Sequence, residues 1–145
     1  VRKVRKLLAP IDSSELSDKL KSYLKEFVTG LDYEVTLLYV IPIERVYAHA
    51  GLVTLHEDKI PMREALAKEI LDKAEADLRS MGIEKVQTKQ TSGDPAEEIV
   101  KMAENEGFHL VVMCTHGMGI TKRLLIGSVT NKVVHHSQIP VLTVQ

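Results

Sequence analysis

The chain has 145 residues, of which 19 are basic and 20 acidic, for a formal net charge of −1 at pH 7 with histidine neutral. That balance creates no global field for nucleic acid or an anionic membrane, and two Phe, four Tyr and no Trp leave few platforms for stacking bases. The length suits one domain that buries roughly two-thirds of its unfolded surface, no apolar run approaches the roughly 20 residues that span a bilayer, and a lone cysteine closes no internal disulfide, so a soluble protein of the reducing cytoplasm is expected.

The basic opening Val1-Arg2-Lys3-Val4-Arg5-Lys6 leads into Leu7-Leu8-Ala9, which Pro10 and Asp12 interrupt too soon for a signal-peptide core. Val4 to Ile11 therefore reads as a first strand. Leu16, Leu20, Leu24 with Tyr23, and Phe27 then recur at helical spacing, with Gly30 as the expected stop. Asp12-Ser13-Ser14-Glu15 has the form of a capping box, so Asp12 is either the N-cap of this helix or a ligand contact, and one carboxylate can serve both.

Glu34 to Ile41 reads as a second strand. From Pro42 to about Ile60, with His49, Gly51 and His56, the periodicity dissolves into what reads as a long irregular connection, the kind that often carries function. Pro61 to Met81 is the longest expected helix, with Leu66, Ile70, Ala74, Leu78 and Met81 as its core stripe and Gly82 past its end. Lys85 to Thr91 alternates polar and apolar as an edge strand does. Asp94-Pro95-Ala96-Glu97 supplies an N-cap, a first-turn proline and a carboxylate for a third helix ending near Gly107.

Leu110 to Met113 is short and wholly apolar, as expected of a strand buried on both faces. Ser128 to His136 reads as a fourth helix, with His135-His136 complementing its C-terminal dipole, and Pro140 to Val144 as a fifth strand. Regular β and α alternation predicts an α/β fold: a doubly wound, five-stranded parallel sheet of order 3-2-1-4-5, Rossmann-like, in a single domain over 1–145. In that order the ends of the first and fourth strands flank the topological switch point, where open α/β sheets bind ligands.

The fourth strand runs into Cys114-Thr115-His116-Gly117, and nine residues after Gly117 come Gly127, Ser128 and Val129 at the start of a helix. Backbone approach at glycine, unpaired N–H groups and a helix N-terminus together suit a phosphate. No glycine precedes the Lys-(Ser/Thr) of a Walker A loop, and the dinucleotide fingerprint begun by Gly117-Met118-Gly119 fails at Lys122. A receiver domain would need clustered acids after the first strand, an aspartate after the third and a lysine after the fifth, which are missing.

These residues resemble the universal stress protein family over nearly the whole chain, specifically its ATP-binding branch with Gly-x2-Gly-x9-Gly-(Ser/Thr) after the fourth strand. Gly117, Gly127 and Ser128 fit that pattern, Cys114 stands where its first glycine would be, and Leu8 to Ser14 and Ser137 to Leu142 look like the family's first and last strands. The resemblance implies ribose or adenine contact from Pro10 and Asp12, with Ile11 between them, adenine contact from Val40, and phosphate contact from Gly117, Gly127, Ser128 and Val129. The side chain of Cys114 either narrows that pocket or turns harmlessly to the core. His116 either donates to a phosphate or is passive, and Lys122-Arg123 either neutralises phosphate charge or is simply solvated.

The function expected is an ATP-, ADP- or AMP-binding regulatory protein of the stress response, a homodimer through Val141–Val144, with turnover slow or absent. Two alternatives stand beside it. One is a slow hydrolase using magnesium or manganese on the phosphates, with His116 or Asp12 placing water. The other is a dimeric scaffold that has lost the nucleotide through Cys114.

Overall fold

A computed structural model describes residues 4–115 and 127–145. His116, Gly117, Lys122 and Arg123 lie outside these residues. The chain runs through β1 (Arg5–Pro10), α1 (Asp18–Leu31), β2 (Tyr33–Pro42), β3 (Arg45–Ala48), β4 (Gly51–Thr54), α2 (Ile60–Ser80), β5 (Val86–Gly93), α3 (Pro95–Asn105), β6 (Leu110–Cys114), α4 (Ser128–His136) and β7 (Val141–Val144). Five strands form one parallel sheet in the order β5-β2-β1-β6-β7, the expected topology once the β3–β4 pair is set aside. No described helix is long and apolar enough to cross a membrane.

Side-chain alternation along the central strands divides the core in two. Leu7, Ala9, Val35, Leu37 and Val112 face Leu20 and Leu24 of α1 and Leu71, Ala74 and Leu78 of α2. Leu8, Leu38, Val40, Val111 and Met113 face Ala96, Ile99 and Ala103 of α3 and Val133 of α4. Helices α1 and α2 thus cover one face of the sheet, and α3 and α4 the other. Burying a side chain such as Leu7, Leu8 or Leu37 contributes about 1.5–3 kcal/mol each, before the entropy that folding costs.

Local signals at helix ends were legible to different degrees. Asp94 caps α3, its carboxylate accepting the Glu97 N–H at 3.1 Å, with Pro95 in the first turn. Asp12 does not cap α1: the helix begins six residues later, where the Ser17 hydroxyl accepts the Leu20 N–H at 3.1 Å, while Ser13 accepts from Glu15 in a local turn. Gly30 is not the stop either, but lies inside α1. The helix ends at Asp32, which adopts the left-handed conformation at φ 63° and donates its N–H to the Phe27 carbonyl, because an aspartate tolerates that region better than most residues.

Two further corrections concern the middle of the chain. The stretch read as irregular folds into an antiparallel hairpin, β3 with β4, which aperiodic sequence hid because its short strands carry apolar residues on both faces. In α2 the core stripe is Ala67, Leu71, Ala74 and Leu78, while Leu66 is exposed; small alanines let the helix lie close to the sheet, so the stripe rotates from the one expected from size alone.

Replacing Asp94 by Ala removes the α3 cap and should lower stability by about 1 kcal/mol. Gly93→Ala should cost more, since Gly93 has φ 146° and a Cβ there would meet the Glu98 side chain at 3.0 Å. Urea unfolding of the two variants beside the parent checks both the values and their order.

Candidate functional site

The carboxyl ends of β1 and β6 diverge because α1 leaves to one face of the sheet and α4 to the other. Between them opens a cavity of about 470 Å3, lined by Pro10, Ile11 and Asp12 after β1, by Val40 and Pro42 at the end of β2, by Cys114, and by Gly127, Ser128, Val129 and Thr130 at the start of α4. Pro95 and Ile99 close it from α3, and Leu16, Ser17 and Leu20 from α1. Every expected site residue within the described part of the chain therefore lines one cavity, although Asp12 and Gly127 are far apart in sequence.

The backbone at the β2 end is set by the ladder. The Leu38 carbonyl accepts the Ile11 N–H at 2.9 Å, which is the last rung toward β1. Groups two residues apart on a strand point the same way, so the Val40 N–H and C=O also point toward β1, past the last residue with which it pairs. They present a donor and an acceptor side by side at the edge of the crevice.

The opposite end of the cavity is a helix start. Gly127 at the α4 N-cap makes no side-chain cap, and the first turn carries no acidic residue. Its leading N–H groups lack partners within the helix and form the positive end of its dipole. By contrast the first turns of α1 and α3 carry Asp18 and Glu97 with Glu98, and each has a side-chain cap. Two short bonds hold the α4 turn to the sheet: the Gly127 N–H donates to the Thr115 carbonyl at 2.6 Å, and the Thr130 hydroxyl donates to the Cys114 carbonyl at 2.8 Å.

Cys114 lines the cavity and is also tied to the core. Its side chain packs with the α1–α2 half of the core, whereas Val129 and Val133 of α4 pack with the other half, so sulfur and helix start lie on opposite faces of the sheet. The thiol is half-buried; burial pushes its pKa above the usual 9.0, a hydrogen bond from Ser17 opposes this, and the charge of Asp12 adds to the rise. A thiol so placed is protonated at neutral pH and is a weak nucleophile.

Ser17 and Thr130 went unnoticed in sequence. The signal for Ser17 was a serine three residues before Leu20, and for Thr130 a hydroxyl in the first turn after Gly127. His135 and His136 close the last turn of α4, where the His135 Nδ1 lies 2.8 Å from the Asn131 carbonyl. Among the described residues no three His, Cys, Asp or Glu side chains converge to hold a metal ion.

A model of the universal stress protein family matches residues 3–145. The chain belongs to that family. Universal stress protein MJ0577 of Methanocaldococcus jannaschii is 34% identical over 154 aligned positions, covering 97% of this chain and 94% of its own. The solved structure of MJ0577 aligns with a TM-score of 0.66 at 31% identity, over 97% of this chain and 94% of that one. A universal stress protein family member of Arabidopsis thaliana with AMP bound aligns at TM-score 0.64 and 19% identity, covering 97% and 90% of the two chains. The Archaeoglobus fulgidus universal stress protein in complex with dAMP aligns at 0.60 and 17%, covering 97% and 98%. At these identities the last two share the fold. In this universal stress protein the cavity falls at the switch point of that fold, where the first and fourth sheet-forming segments of the alternating pattern part.

Two outcomes follow for the site. Thr130→Val leaves the part-buried Cys114 carbonyl without the Thr130 hydroxyl and should cost about 1 kcal/mol in urea unfolding. Alkylation of Cys114 by iodoacetamide should rise with pH through a midpoint above 9.0. The folded thiol has the higher pKa, so its contribution to stability is complete below the unfolded value and is lost as pH rises through the folded one; Cys114→Ala should flatten that alkaline decline.

Proposed function

We propose that this universal stress protein is a regulatory binder of an adenine nucleotide in the stress response, acting in the cytoplasm as a homodimer through Val141–Val144, with turnover slow or absent. The observation that carries the reading is that one cavity joins the outward backbone pair of Val40 to the uncapped first turn of α4. A donor beside an acceptor suits the edge of a purine base, and a helix start suits a phosphate. A volume of about 470 Å3 and an apolar wall of Val40, Pro42, Pro95 and Ile99 suit a base and sugar between them.

In this reading Val40 holds the base, Pro10, Ile11 and Asp12 border base and ribose, and Gly127, Ser128 and Val129 receive phosphate, with His116 and Gly117 completing the loop as the family motif implies. The ATP-binding branch is the expectation from that motif. AMP and dAMP in the Arabidopsis thaliana and Archaeoglobus fulgidus relatives support the adenine class. A magnesium or manganese ion would be carried by the phosphates of the nucleotide and would screen their charge. The orientation of Cys114 toward α1 favours retained binding over a scaffold that has lost it.

Isothermal titration with ATP, ADP and AMP, each with and without magnesium, tests the assignment. Binding should be seen for at least one of them. Gly127→Val, which sets a branched side chain beside the helix start, should weaken it by at least about tenfold, or about 1.4 kcal/mol. Cys114→Gly should change affinity by less than about threefold, within about 0.7 kcal/mol. Absence of binding by all three nucleotides, or equal affinity in Gly127→Val, contradicts the reading.

A further inference from the structure

The side chains that line the cavity divide between the two halves of the core. Leu38, Val40, Ile99, Met113 and Val129 belong to the half roofed by α3 and α4, and Leu16, Leu20, Tyr39 and Cys114 to the half roofed by α1 and α2. The cavity therefore straddles the carboxyl edge of the sheet and has a wall on each face. Base, sugar and phosphate of a bound nucleotide take up the α3 and α4 wall, from Val40 and Ile99 to Gly127 and Ser128. They leave Leu16, Leu20 and Tyr39 on the α1 wall without a partner.

That second wall is mostly apolar, and the Ser17 hydroxyl on it is already engaged, accepting the Leu20 N–H at 3.1 Å. Among the described residues that line the cavity, those that carry charge are Asp12 and Glu15, both in the segment between β1 and α1 that rims this wall. A further phosphate turned toward α1 would meet two like charges, which costs free energy. A hydrocarbon chain turned the same way would instead bury its own surface together with that of Leu16 and Tyr39. The two walls meet beside the phosphate position: the Gly127 N–H donates to the Thr115 carbonyl at 2.6 Å, and Thr115 directly follows Cys114 at the end of β6. A group carried on the phosphate is thus the part of a nucleotide that lies next to the α1 wall.

We propose that the ligand of this cavity is an adenosine monophosphate whose phosphate carries an apolar chain, with the nucleotide on the α3 and α4 wall and the chain against Leu16, Leu20, Tyr39 and Cys114. This ligand class rests on the adenine-nucleotide reading and adds the substituent to it. A substituted phosphate also carries less negative charge than that of AMP, which suits a site with two carboxylates at its rim.

Isothermal titration of the full chain with the methyl and hexyl esters of AMP tests it. The two esters carry the same charge and differ only in apolar length. The hexyl ester should bind at least about tenfold more tightly, because each methylene that leaves water favours binding. Leu16→Trp, which fills the space before the α1 wall, should reduce that ratio to less than about threefold; circular dichroism verifies that the variant is folded. In amide-resolved NMR of the parent, exchanging the methyl for the hexyl ester should move Leu16, Leu20 and Tyr39. Esters of equal affinity, a hexyl advantage that folded Leu16→Trp leaves intact, or hexyl-specific shifts that spare those three residues overturn the proposal while the nucleotide reading stands. Absence of binding by AMP and by both esters overturns the two together.

Discussion

Everything in this fold depends on β1 and β6 being buried on both faces while the helices that follow them depart to opposite sides. Leu7 and Leu8, adjacent in sequence, are fully buried in different halves of the core, and Val111 and Val112 repeat the arrangement on β6. Two such strands can lie together only if each half is roofed by helices. Parallel pairing with right-handed crossovers then sends α1 to one roof and α4 to the other. The space left between the two departures is the cavity.

That constraint also explains why a chemically modest set of residues can make a binding site. No charged pair or metal cluster among the described residues is needed to hold the crevice open. Its polar character comes from backbone: the outward N–H and C=O of Val40 and the leading amides of α4. Both are fixed by elements that the core already holds, and the Gly127 and Thr130 bonds to the end of β6 lock the second to the sheet. Preformed dipoles of this kind lose little entropy on binding. The position of Cys114 fits the same logic, because alternation along β6 sends its side chain to the roof opposite α4.

The sheet order was readable because strand burial and edge polarity both leave strong marks in sequence. Leu110-Val111-Val112-Met113 announces a buried strand, and the alternating lysines and glutamines before Thr91 announce an edge. Asp94 and Pro95 announced a helix start through purely local chemistry. Asp12 misled for the same reason: a capping pattern is necessary for a box but does not require the backbone to turn helical there, and Ser17 competes for the role. The hairpin escaped notice because four-residue strands with apolar side chains on both faces have no period to read. The shift of the α2 stripe onto Ala67 and Ala74 reflects close packing, which depends on the neighbour and not on the helix. At the site, topology brought Pro10, Asp12, Val40 and Gly127 together, whereas the direction in which the Cys114 side chain points needed the coordinates.

The most direct test of the central claim, that a nucleotide spans from the end of β2 to the start of α4, is an amide-resolved NMR titration with AMP. The account predicts the largest shifts at Val40 and at Ser128, Val129 and Thr130, with Leu52 and Val53 of the hairpin unmoved. Saturable binding that shifts neither Val40 nor the first turn of α4 would contradict it.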